Sequence, residues 1–128
     1  MNLLLDTHVF LWWIAGDSLP PAADEAIRNP DNAVWVSAAS AWEITIKASL
    51  GKLKLPDPVV GFIETQRMQN GFGWLPVEAA ALDALLDLPF HHRDPFDRLL
   101  IAQAISRDYT LISADGLFEH YPVKKLWS

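Results

Sequence analysis

Asn2-Leu3-Leu4-Leu5-Asp6-Thr7 is a short apolar run that stops at a carboxylate. Leucines with no polar break read as a strand buried on both faces. From Thr7 to about Ala15 the chain is long and apolar enough for a helix, closed by Gly16. A strand that ends at Asp6 and turns into a helix puts that carboxylate at the strand's carboxyl end. In open α/β sheets this edge is where ligands bind.

The same alternation recurs along the chain. Pro21 suits the first position of a helix that runs from about Ala22 to Arg28, and Ala33–Val36 reads as the second strand. Ser37 or Ser40 can cap a helix that continues through Glu43 to Leu50 and stops at Gly51. Further helices are expected from about Pro58 to Gln69, from Val77 to Leu86 and from Phe96 to Arg107. Short strands are expected at Phe72–Pro76, Thr110–Ser113 and Val123–Leu126, with one helical turn at Leu117–Tyr121. Alternating strands and helices predict an α/β fold with a central parallel sheet, and the length suits one domain over residues 1–128. Right-handed crossovers then place Asp6, Ser37 and Asp115 on one sheet edge. Glu43 lies within the helix after the second strand, and Asp97 in the first turn of the helix before the fourth.

Composition narrows the function. At 51% hydrophobic the chain can fill a core without staples, and with no cysteine it has no disulfide and no thiolate zinc site. No apolar run spans a bilayer and no basic leader precedes the first strand, so a cytoplasmic protein is expected. The formal charge of −6 argues against nucleic-acid binding through a basic surface alone. It leaves open an enzyme that reaches phosphate through divalent cations, because a bound metal inverts the field of an acidic cluster. No glycine-rich phosphate loop or nucleophile elbow is present. Trp12, Trp13, Trp35 and Trp42 fall in expected core elements, and a core role is expected of Phe62, Met68, Phe72 and Trp74 over the alternative of an exposed partner-binding face. The four histidines lack helical metal-binding spacing and read as solvated or capping groups.

Each acidic residue has an ordinary explanation. Asp6 can cap the first helix, and Asp115 before Gly116 can be a turn residue. Ser40 and Glu43 match a capping box, and Glu43 with Lys47 forms an i, i+4 pair in the favourable order. If Ser37 is the true cap, the box explanation fails. Asp94 before Pro95 makes a good N-cap, which leaves Asp97 at the third helical position as the better metal candidate. As a set, carboxylates gathered in one cleft repel unless protonated or neutralised. Hard oxygen ligands suit magnesium or manganese.

Four blocks carry a family resemblance: Leu3-Leu4-Leu5-Asp6-Thr7-His8; Ser37-Ala38-Ala39-Ser40-Ala41-Trp42-Glu43-Ile44; His92-Arg93-Asp94-Pro95-Phe96-Asp97-Arg98-Leu99-Leu100-Ile101-Ala102-Gln103-Ala104; and Leu111-Ile112-Ser113-Ala114-Asp115. Together they resemble the motif blocks of PIN-domain proteins, above all the VapC-type toxins of toxin–antitoxin pairs. The resemblance implies a parallel sheet in the order 3-2-1-4-5 with helices on both faces. It implies a magnesium- or manganese-dependent endoribonuclease whose acidic residues are Asp6, Glu43, Asp97 and Asp115. Asp94 would assist from the rim, and Thr7 and Ser113 would support the site. It further implies an RNA substrate, a VapB-type antitoxin, a homodimer, and contact with DNA only through the antitoxin complex. Arg93, Arg98, Lys47, Lys52 and Lys54 are candidates for guiding the RNA backbone. The alternative is a non-catalytic module, either an inactive PIN domain or a receiver-like domain. A receiver wants paired acids after its first strand and a lysine after its last. Here Asp6 stands alone, and Lys124 and Lys125 lie within the closing strand.

Overall fold

β1 (Asn2–Leu5) is the central strand, pairing in parallel with β2 (Ala33–Ser37) on one side and β4 (Thr110–Ile112) on the other. The computed structural model describes all residues 1–128. β3 (Gly73–Leu75) and β5 (Lys125–Leu126) form the edges, giving one parallel sheet in the order β3-β2-β1-β4-β5, as expected. The register sets Leu5 beside Val36 and Ile112, so the carboxyl ends of the three inner strands finish together.

The uninterrupted leucine run now has its cause. Leu3 and Leu5 point to one face, into a core with Phe10, Ile27, Ile44 and Ile63. Leu4 points to the other, against Leu100, Ile101, Leu111 and Phe118. All three leucines are fully buried, worth about 1.5–3 kcal/mol each. α1 (Thr7–Ala15), α2 (Pro21–Arg28) and α4 (Val59–Gln69) cover the first face. α5 (Ala79–Leu86) and α6 (Pro95–Arg107) cover the second. α3 (Ala38–Ser49) sends Ile44 to one core and Ala39 to the other.

Several expectations need correction. α5 starts at Ala79 rather than Val77, and the third strand is only Gly73–Leu75. Its first residue has to be glycine, because a Cβ on Gly73 would come within 2.5 Å of a Trp35 ring carbon. Trp42 is 60% exposed, because α3 turns that position away from both cores. Met68 and Trp74 are also exposed, leaving Phe72 as the one buried member of its expected group. No helix is long and apolar enough to cross a membrane.

Candidate metal centre

The end of β1 is locked before any ligand is considered. The Asp6 amide donates to the Ile112 carbonyl of β4 at 3.0 Å. Asp6 Oδ1 then caps α1 by accepting from the Val9 amide at 2.8 Å, while Oδ2 accepts from Ser113 Oγ at 2.5 Å. Thr7 Oγ1 donates to Ser40 Oγ at 3.0 Å and ties α1 to α3. Thr7 and Ser113 are both buried, but only the Ser113 hydroxyl bonds Asp6.

Ser37 is the cap of α3, its Oγ accepting from the Ala39 amide at 2.9 Å. The same hydroxyl donates to the buried Gln103 Oε1 at 2.5 Å, joining α3 to α6. With Ala38 as the first residue of α3, Glu43 is the sixth, beyond reach of a capping box with Ser40. The i, i+4 pairing does form: Lys47 Nζ donates to Glu43 Oε2 at 2.7 Å. Glu43 is buried, and its Oε1 has no hydrogen-bond partner. A solitary buried carboxylate oxygen is costly unless something else neutralises it.

α6 begins as its sequence indicates. Asp94 Oδ1 accepts from the amides of Phe96 and Asp97 at 2.8 and 3.0 Å, with Pro95 as the first helical residue. Asp97 is freed of capping and faces the cleft. Asp115 Oδ1 accepts from the Leu117 amide at 2.9 Å, starting a 3₁₀ turn over Gly116–His120. Asp6, His8, Trp12, Asp97, Ala114 and Asp115 line a cleft of about 300 Å³.

The carboxylates feel one another. Burial, reinforced by Asp94, Glu43 and Asp6, pushes the Asp97 carboxyl up to about 7 despite the opposing pull of His92. Burial also raises Asp6, against the hydrogen bonds from Ser113 and Val9. At Asp115 burial acts in the same direction, but the Leu117 amide and His92 outweigh it and hold that carboxyl below its ordinary value. Lys47 is raised, chiefly by its hydrogen bond to Glu43.

His92 was missed by the sequence reading and is not a solvated group. It is buried, with Nε2 2.8 Å from Asp115 Oδ2 and 3.2 Å from Asp97 Oδ2. The available signal was its place two residues before the α6 cap, where a turn folds the ring back onto the Asp94 amide. Two expected RNA guides need correction. Arg98 is buried, donating to the Pro89 carbonyl at 2.8 Å and lying 4.2 Å from the centre of the Phe90 ring, so it orders the 88–90 loop. Lys47 is committed to Glu43. Arg93, Lys52 and Lys54 remain exposed.

The PIN domain family profile matches residues 3–124. Ribonuclease VapC22 of Mycobacterium tuberculosis is 32% identical over 115 residues, covering 89% of this chain and 87% of that protein. Ribonuclease VapC16 of the same organism is 37% identical over 54 residues, 42% of this chain and 38% of that protein. The fold resembles VapBC2 from Rickettsia felis bound to a promoter DNA fragment, at TM-score 0.75 and 16% identity over the whole of both chains. It equally resembles DNA-bound VapBC from Salmonella typhimurium, at TM-score 0.75 and 17% identity over 98% and 97% of the two chains. With the sheet order, the converging acids and these likenesses in agreement, the chain belongs to the PIN-domain family.

Proposed function

We propose that this chain, acting as one domain over residues 1–128, is a magnesium- or manganese-dependent endoribonuclease. In this reading it is the toxin of a VapBC-type pair, cytoplasmic, dimeric, and held by a VapB-type antitoxin through which alone it meets DNA. The observation that carries the reading is the donor set at the ends of β1, β4 and α6. Glu43 Oε1 is buried without a partner, and Asp97 holds its proton to about 7 because it is buried and other carboxylates crowd it. A hard divalent cation satisfies both conditions. Asp6, Asp97 and Asp115 would hold it, with Glu43 Oε1 as a ligand or as acceptor of a proton from the attacking water.

When bound, the cation supplies Lewis acidity, activating water and screening the charge of the phosphate. Water oxygen bonds to phosphorus as the bond to O3′ breaks, leaving a 5′-phosphate and a 3′-hydroxyl. Ser113 keeps Asp6 aimed at the cleft, and the α1 cap keeps it fixed. Lys47 neutralises Glu43 Oε2, so Oε1 keeps its single task. Arg93, exposed just before the α6 cap, is free to meet the RNA backbone.

A receiver-like module is disfavoured by its lysines. Lys124 pairs with Asp108 at 2.9 Å and Lys125 with Glu119 at 3.3 Å, so neither is bonded to a cleft carboxylate. The test is cleavage of purified tRNA and rRNA with magnesium or manganese, by the wild type and by Asp6→Asn. Metal-dependent cleavage that the variant loses, with circular dichroism unchanged, is expected. Cleavage that persists in chelator, or full activity in Asp6→Asn, would sink the assignment.

A further inference from the structure

We infer that His92 is a positioning residue: its Nε2–H clamps Asp115 in place beside Asp97, and it is not itself a cation ligand. This rests on the metal-dependent nuclease reading of the cleft. Distance alone suggests otherwise, since the donor atoms of His92, Asp97 and Asp115 lie within 4.8 Å of one another. The hydrogen bond on the far side of the ring decides between the two roles. His92 Nδ1 lies 3.1 Å from the Asp94 backbone amide, a group that can only donate. Nδ1 is therefore the bare nitrogen, and the proton of the neutral ring sits on Nε2. Nε2 faces two acceptors, Asp115 Oδ2 at 2.8 Å and Asp97 Oδ2 at 3.2 Å. A nitrogen that carries a proton has no lone pair to offer a metal.

The ring is held for this purpose from three sides. The His92 amide donates to Tyr121 Oη at 2.8 Å, and that hydroxyl donates to the Pro89 carbonyl at 2.8 Å. The ring rests on Phe118, with centroids 5.6 Å apart. Asp94 joins the parts: its side chain caps α6 and so places Asp97, while its amide fixes the tautomer of the histidine that holds Asp115 beside it. Asp97 and Asp115 come from elements remote in sequence, and His92 stands between them, hydrogen-bonded to Asp115 and 3.2 Å from Asp97.

The test uses protein with ¹⁵N-labelled histidine rings, observed without cation and with saturating magnesium. Nε2 is expected to be the protonated nitrogen and Nδ1 the bare one in both states. A proton on Nδ1, or loss of the Nε2 proton when magnesium is added, overturns the inference. Two variants give a second readout by manganese calorimetry. His92→Phe keeps a ring without a donor and is expected to weaken binding by about 10-fold or more, the usual effect of removing a hydrogen-bond partner of metal ligands. His92→Gln returns an N–H at similar reach and is expected to restore most of the loss. Equal weakening in both variants, or none in His92→Phe, overturns the clamp. If the wild type binds neither metal, the nuclease reading fails by itself, and the cation-free spectrum still decides the tautomer of His92.

Discussion

Asp97→Asn should make the metal-free protein more stable at neutral pH, and the size of the gain follows from the burial of Asp97 and the crowding around it. The Asp97 carboxyl titrates at about 7 when folded, against an ordinary value of 3.8. Between those two values the folded state binds more protons at this group than the unfolded state does. Stability therefore falls as pH rises through the window, and the loss is complete above the folded value. Three units at 1.36 kcal/mol each make this about 4 kcal/mol in total, of which ~2.5 kcal/mol falls between pH 5 and pH 8. The Asp97 side chain is 15% exposed, so solvent screens this only modestly. The amide of the Asp97→Asn variant has nothing to titrate. Asp6 contributes in the same direction and Asp115 in the opposite one, but both remain in the variant and cancel to first order in the difference.

Urea unfolding in chelator at pH 5, 6, 7 and 8 measures the effect. The wild type should lose about 2.5 kcal/mol relative to Asp97→Asn across that range. Saturating manganese should reverse the trend in the wild type alone, because the cation binds the ionised form. Parallel curves for the two proteins in chelator would refute the reasoning. They would mean that burial and neighbouring carboxylates do not raise Asp97, and the electrostatic argument for a cation at this site would fail.

Lys47→Met tests whether that lysine is an internal counter-ion or an RNA guide. Stripping a partner from a fully buried pair costs about 3–5 kcal/mol, but Lys47 is 39% exposed, which discounts the expected loss to ~1–2 kcal/mol in chelator. Manganese should recover part of it; unchanged urea unfolding would return Lys47 to the RNA-guiding role. Gly73→Ala should cost about 1–3 kcal/mol, since its new Cβ would meet the Trp35 ring at 2.5 Å. That ring stacks on Tyr109 and its Nε1 donates to Asn2 at 3.1 Å, so it cannot swing aside freely. An unchanged melting temperature would show that β3 has slack.

The fold was legible because its signals are local and repeated. Leu3-Leu4-Leu5 can satisfy two cores only from a central strand, and each helix carries its own stop or start, such as Gly16 or Asp94-Pro95. Three of the four acids were legible as a set, because Asp6, Asp97 and Asp115 each lie where a strand or helix ends, whereas Glu43 lies inside α3. His92 was not, because its role depends on Asp115, which is 23 residues away, and no spacing rule encodes that contact. Arg98 misled because a guanidinium in the same block as two acids looks like a phosphate contact. Its partners are carbonyls of the 88–90 loop, and a sequence gives no hint of which carbonyls lack donors. Trp42 misled for a related reason: its apolar side chain suggested core, but the phase of α3 is set by the Ser37 cap and turns it outward.

The sequence left cap and ligand as alternatives for Asp6 and Asp115, and their oxygens show that capping leaves room for a second role. At each residue one oxygen caps: Asp6 Oδ1 takes the Val9 amide and Asp115 Oδ1 takes the Leu117 amide. The other turns towards the cleft, where Asp6 Oδ2 meets Ser113 and Asp115 Oδ2 meets His92. Capping is what lets the fold hold repelling carboxylates in one place, because each bond to a backbone amide anchors a charge that would otherwise retreat to solvent. The two roles can therefore be separated by substitution. Asp6→Asn keeps an oxygen for the Val9 amide and loses the charge, so it should fold normally and fail to bind metal. Asp6→Ala loses both, and should fall below Asp6→Asn in stability by about 1 kcal/mol, the usual worth of an N-cap. Equal stability of the two variants in chelator would show that the α1 cap carries no weight, and that something other than capping holds Asp6 in place.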